Sequence, residues 1–172
     1  MRWDLQQQNF FRDCISFVIM NDSRQPLKRH ACLRPLSIDH HQGLLLCWKI
    51  RSGLKKGISN HRMAKYLSWF YAHHLARHFR LEEQYVFPVL GADHALVIRA
   101  VAEHKSLAEL VAREPTTVSL AQFADALDNH IRFEERQLFQ EIQRLATPEQ
   151  LQLIEAMHRH DGFVENLEDV FW

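Results

Sequence analysis

Glycine and proline are scarce here, five of each in 172 residues, about half the usual share. So few chain breakers, with only three threonines, predict long helices and few tight turns. Cysteine is equally sparse. Cys14, Cys32 and Cys47 are odd in number and form no C-x-x-C pair, which excludes a disulfide framework and a thiolate zinc site. A reducing cytoplasm is the expected compartment. No charge of one sign dominates, since 21 Lys and Arg balance 21 Asp and Glu. Nucleic acid and anionic membrane surfaces are therefore not expected partners. No apolar run approaches the ~18 residues of a membrane span. The first twenty residues make a poor signal peptide. Their apolar stretch from Cys14 to Met20 is short, follows two acids and leads to no small-residue cleavage site. A start at Met20 is the alternative to an N-terminal arm. Long disordered tracts are excluded by 47% hydrophobic and 24% charged residues. The length fits one domain able to bury a core unaided.

The punctuation of the sequence predicts five helices. Ser37 caps the first, which ends near Gly53 or Gly57. Ser59 caps a longer second helix, stopped between Pro88 and Gly91. Asp93 caps the third, closed before Pro115, and Ser119 caps the fourth. Thr147-Pro148-Glu149-Gln150 starts a fifth helix, with Thr at N-cap, Pro at N1 and Gln at N3, running to about Asp161-Gly162. No segment alternates with period two. The expected fold is all-α, an up-down-up-down four-helix bundle over 36–146. An N-terminal arm (1–35) and a C-terminal helix with an apolar tail (147–172) are expected to pack on it.

What is abundant is histidine, twelve residues in all, and histidine is the commonest protein metal ligand. The second and fourth helices share the pattern H-x-R-x-E-E-x-x-x-F, as His78…Glu82-Glu83…Phe87 and His130…Glu134-Glu135…Phe139. Spacing i, i+4 puts His and Glu on one helix face, a turn apart. A bare H-x-x-x-E is weak evidence, because twelve His and twelve Glu give about 0.8 such pairs by chance. The matching Arg, second Glu and Phe make the repeat far more specific. Depth adds a second test. At ~1.5 Å per residue, His78, His104 and His130 each lie roughly 15–16 Å from the same respective ends of neighbouring helices. His40 or His41 supplies the fourth imidazole from the first helix, His40 fitting the depth slightly better. His30, His61, His94, His158 and His160 sit at element ends or in polar context and read as ordinary surface or core histidines. Glu83 and Glu135, one residue off the ligand face, are expected to face solvent or to support the ligands. The layer itself resists a bland reading. Imidazoles and carboxylates facing one core require a compensating charge, which a cation supplies. Carboxylate with imidazole and no thiolate suits iron or manganese, and also zinc.

Asp39-His40-His41, His78…Glu82-Glu83 with Phe87-Pro88, Glu103-His104 and His130…Glu134 together resemble the hemerythrin-like HHE cation-binding family over about residues 33–145. The resemblance implies a helical bundle holding a non-haem di-iron centre. It implies Glu82 and Glu134 as bridges, with His40 (or His41), His78, His104 and His130 as terminal ligands. It also implies a small diatomic ligand, O2 or NO, or a role in iron handling. The chain departs from the oxygen-carrying members, whose third helix holds a His-x-x-x-His pair. Here Ala100 and Ala108 flank His104 at those positions. His74, one turn before His78, is either a compensating ligand or a core histidine. The competing expectations are a di-iron oxidase or ferroxidase, a single structural zinc, and a metal-free interaction module. In the last, the fifth helix and tail would dock a partner or a second copy as a homodimer.

Overall fold

A computed structural model describes residues 29–158 and 163–172, so the expected arm over 1–28 lies outside the described residues. A 3-10 turn at Ala31–Leu33 leads into α1 (Arg34–Lys55). The second helical run, α2, spans 60–89. It consists of α-helix Asn60–Phe70, a π turn Tyr71–Leu75, α-helix Ala76–Leu81, a π turn Glu82–Val86 and a 3-10 turn Phe87–Val89. α3 is Ala95–Ala112. α4 spans 117–145, with a π turn Glu134–Leu138 between α-helices Thr117–Phe133 and Phe139–Leu145. α5 is Pro148–Met157, and no strand occurs among the described residues.

Several helix starts differ from the expected ones. α1 opens at Arg34 rather than after Ser37, because Pro35 fits the first turn, where its missing N–H leaves no bond unmade. The Ser37 hydroxyl instead donates to Glu135 at 2.8 Å. His94, not Asp93, caps α3 by accepting from the Leu96 N–H. Thr116 caps α4, with Ser119 in the third position completing a capping box. Thr147 and Gln150 form the capping box of α5. That helix ends at Met157, short of Asp161–Gly162.

The core is divided into two apolar clusters. One gathers Leu46, Ile50, Met63, Tyr66, Phe70, Phe123, Leu127 and Phe171. The other gathers Leu33, Leu36, Val86, Phe87, Ala100, Phe139, Ile142 and Ile154. On each helix of the bundle the polar residues of the buried layer fall between the two sets. His40 lies between Leu36 and Leu46, His78 and Glu82 between Leu75 and Val86, and His104 between Ala100 and Leu107. Arg51 reaches Asp125 and Asp128, while His40 meets Glu135, so α1 and α4 run in opposite directions. Gly57, at φ +69°, makes the turn after α1.

The C-terminal segment docks on the first cluster. Phe171 is 4% exposed and lies 5.7 Å from Tyr66, edge to face. Gly53 leaves room for it, because a Cβ there would meet the Phe171 ring at 3.0 Å. The buried Lys49 donates to Tyr66 Oη at 2.7 Å and to Glu165, and sits 4.1 Å over the Trp172 ring. Arg62 pairs with Asp169 at 2.7 and 2.9 Å. Truncating a fully packed phenyl removes its transfer free energy and leaves a cavity. Phe171→Ala is expected to lower unfolding free energy by about 3 kcal/mol, read as a reduced denaturant midpoint at unchanged slope. No change in the midpoint would show that the tail does not contribute to the core.

Candidate metal centre

Each of the first four helices sends one imidazole into the layer between the clusters, and α2 and α4 each add a glutamate. Glu82 and Glu134 are fully buried, and His40, His78, His104 and His130 are nearly so. Their tips converge in two groups that share Glu134: His40, His78, Glu82 and Glu134, and His104, His130 and Glu134. Glu82 also spans the two sets, with Oε1 3.2 Å from His78 Nε2 and Oε2 3.5 Å from His104 Nε2. Glu134 behaves alike, with Oε2 3.1 Å from His40 Nε2 and 3.3 Å from His130 Nε2, and Oε1 3.7 Å from His104 Nε2.

The other nitrogen of every imidazole is held by a carboxylate. Asp39 on α1 faces His78 on α2 at 3.3 Å, and Glu83 on α2 faces His104 on α3 at 2.8 Å. Glu103 on α3 faces His130 on α4 at 2.8 Å, and Glu135 on α4 faces His40 on α1 at 2.7 Å. The four pairs close a ring around the bundle. In each, the acid is the sequence neighbour of one inward-pointing residue and supports the imidazole of the next helix. The double glutamate of the repeated motif follows from this. Glu82 and Glu83 grip His104 at its two nitrogens, and Glu134 and Glu135 grip His40 in the same way.

This ring fixes the tautomers. An ionised carboxylate only accepts, so each Nδ1 carries the proton and each neutral ring aims its Nε2 lone pair at the centre. His104 Nε2 and His130 Nε2 stand 3.1 Å apart, both facing the centre. Nε2 of His40 and His78 and all four oxygens of Glu82 and Glu134 are buried without a hydrogen-bond partner. Buried polar atoms in such number are costly unless a common partner satisfies them. The donor set therefore fits metal cations. Ring planes are set by stacking, of Phe79 on His104 at 3.9 Å and of Phe139 on His40 at 5.3 Å between centroids.

Two of the three π turns begin at Glu82 and Glu134, where the amides of Phe87 and Phe139 donate to carbonyls five residues back. Such turns insert an extra residue and gather at functional sites. Hydrophobic periodicity carries no sign of them.

Of the expected site residues, the layer brings together His40, His78, Glu82, His104, His130 and Glu134. His41 is exposed, and neither it nor His74 belongs to either group. The His74 ring lies among Trp69, Phe70 and Phe163, with centroids 5.2, 5.0 and 4.7 Å away. Glu83 and Glu135 do not simply face water but hold ligand-side imidazoles. The supporting roles of Asp39 and Glu103 escaped the sequence reading. Their signal was available, since an acid adjoins each inward residue in Asp39-His40, Glu82-Glu83, Glu103-His104 and Glu134-Glu135. His158, read as an ordinary surface or core histidine at an element end, is a buried one, 3.1 Å from Asp39.

Fold and layer together define a helical-bundle cation-binding domain. The chain belongs to the family described as the hemerythrin HHE cation-binding domain, whose model matches residues 38–142, more than half of the chain. No curated protein and no solved structure matches it.

Without metal, burial pulls the His78 imidazole down, but the Glu82 charge and the bond to Asp39 outweigh it and lift its pKa to about 9. His104, against Glu134 and Glu82, rises to about 10 despite burial. Burial and the adjacent Glu82 charge push Glu134 up, yet the His130 charge and the contacts with His104 and His40 hold it down at about 2. Protons thus neutralise the layer at neutral pH when no cation does. A cation binds only deprotonated imidazole, so metal and protons compete. Burial lowers His40 too, but Glu134, Glu135 and Glu82 raise it well above its usual range. Loading the metal-free protein at pH 7.5 is therefore expected to release about three protons per chain, from His40, His78 and His104, detectable with a pH indicator. Apparent affinity should rise from pH 6 to about pH 10 as those protons leave. Loading without proton release would refute the competition.

Proposed function

We propose that the layer holds two iron ions, with Glu82 and Glu134 as shared carboxylates and His40, His78, His104 and His130 as terminal ligands, and that the protein binds or senses a small diatomic molecule such as O2 or NO. The observation carrying this reading is the pair of donor groups joined through Glu134, a pattern suited to carboxylate-bridged iron in helical bundles. A bound iron pair supplies reversible redox change and an open coordination position. The chain supplies six fixed donors, four carboxylate-oriented rings and a shell that excludes bulk water.

The space beside the layer supports the ligand class. A cavity of about 80 Å³ adjoins it, lined by His40, His78, His130 and the apolar side chains of Phe70, Phe79, Leu127 and Ile131. Sites for organic substrates usually run to about 300–1,000 Å³, whereas a water molecule occupies about 30 Å³. That scale suits a diatomic better than an organic substrate. A reducing compartment suits the free cysteines Cys32 and Cys47, whose thiols burial pushes up to about 11 and about 12. Among the described residues no helix is long and apolar enough to cross a membrane.

The test is metal analysis of anaerobically purified protein, followed by optical spectra with O2 and with NO. About two irons per chain, with visible charge-transfer bands that change on gas addition, are expected. Glu134→Ala should reduce the content below one per chain, while His41→Ala should leave it unchanged. Zinc alone without visible colour, or no metal at all, would overturn the reading.

A further inference from the structure

Three of the four supporting carboxylates are themselves held by a further residue. Glu135 is held by Arg29 and by the Ser37 hydroxyl, and Glu103 by Arg99 at 2.7 Å. Asp39 is held by His158, whose Nε2 lies 3.1 Å from the same Oδ2 that faces His78 Nδ1 at 3.3 Å. His158 caps the C-terminal end of α5, a helix that contributes nothing to the layer. Its place is fixed by the fully buried Ile154 one turn earlier.

Resting on the two-metal reading above, we propose that His158 is a positioning residue for the centre. It pins the Asp39 carboxylate against His78, so that α5 sets the orientation of a ligand three helices earlier in the chain.

Two effects of His158 oppose one another. Its N–H withdraws charge from Asp39 and makes His78 a weaker donor, but it also stops the carboxylate from turning away. The second effect dominates. Asp39 to His78 is the longest of the four acid–imidazole contacts, 3.3 Å against 2.7–2.8 Å. The Asp39 side chain is also 33% exposed, so packing alone does not hold its orientation. Supporting partners of metal-bound histidines are typically worth 10–100-fold in metal affinity. A residue acting one step further out belongs at the lower end of that range.

Zinc affinity, measured by chelator competition on the full chain, tests this independently of the native metal. His158→Leu is expected to weaken zinc binding by about tenfold, and His158→Gln, which keeps an N–H donor, to recover most of the loss. Asp39→Asn should weaken binding at least as much, and adding His158→Leu to it should change nothing further, since residues acting through one contact are non-additive. Wild-type affinity in His158→Leu, or additive losses in the double variant, would overturn the proposal. If His158→Leu does not fold, His158→Ala, alone and combined with Asp39→Asn, decides by the same additivity criterion. Failure of the wild-type chain to bind zinc or iron would instead defeat the reading of the centre itself.

Discussion

Two carboxylates buried at one level of a helical bundle are the constraint to which everything else answers. Removing one ionised group from water costs several kcal/mol even after relaxation, against a total stability of about 5–15 kcal/mol for a typical domain. Glu82 and Glu134 are fully buried and close enough for the charge on one to raise the pKa of the other. No apolar side chain can pair that charge. The pairing comes from the four imidazoles, and from whatever occupies their common focus: protons in the metal-free state or cations in the loaded one.

The carboxylate ring converts this electrostatic demand into geometry. An imidazole held at Nε2 alone could rotate about its χ2 angle. Held also at Nδ1 by an acid from the neighbouring helix, it has one orientation and one tautomer. Because each acid adjoins an inward residue of its own helix, a shift of any helix disturbs two positions of the layer. The ring therefore locks the relative heights of the four helices, a task that apolar packing performs poorly because it tolerates sliding. The π turns at Glu82 and Glu134 belong to the same economy. They spend regular hydrogen bonding at the two residues whose carboxylates must reach both donor groups.

The number of helices, their order and the identity of the inward residues were legible because they follow from short-range regularities. A helix face repeats every three to four residues, and depth is a count of residues. His40 rather than His41 was within reach of the same count. What escaped was long-range or cooperative. Whether Ser37 caps a helix or reaches Glu135 depends on a residue about a hundred positions away. The partner of His158 could not be named from the sequence, because Asp39 lies four helices earlier. The π turns at Glu82 and Glu134 were invisible because hydrophobic periodicity does not distinguish a π turn from an α turn in E-E-Q-Y-V or E-E-R-Q-L.

A polar layer across the middle of a bundle also divides its core, and each half must then hold together with fewer residues. Parts of the chain outside the 38–142 family match supply both halves. Cys32, Leu33, Leu36 and Ile154 enter one cluster, while Phe171, with Phe163 and Trp172 packed against it, enters the other. At about 25 cal/mol per Å² of buried apolar surface, a fully buried leucine or phenylalanine contributes about 1.5–3 kcal/mol. A handful of such residues is the scale needed to offset several kcal/mol of charge burial. On this view α5 and the tail are less an appendage than the counterweight that lets six polar side chains occupy the centre, and their packing over both halves brings His158 within reach of Asp39.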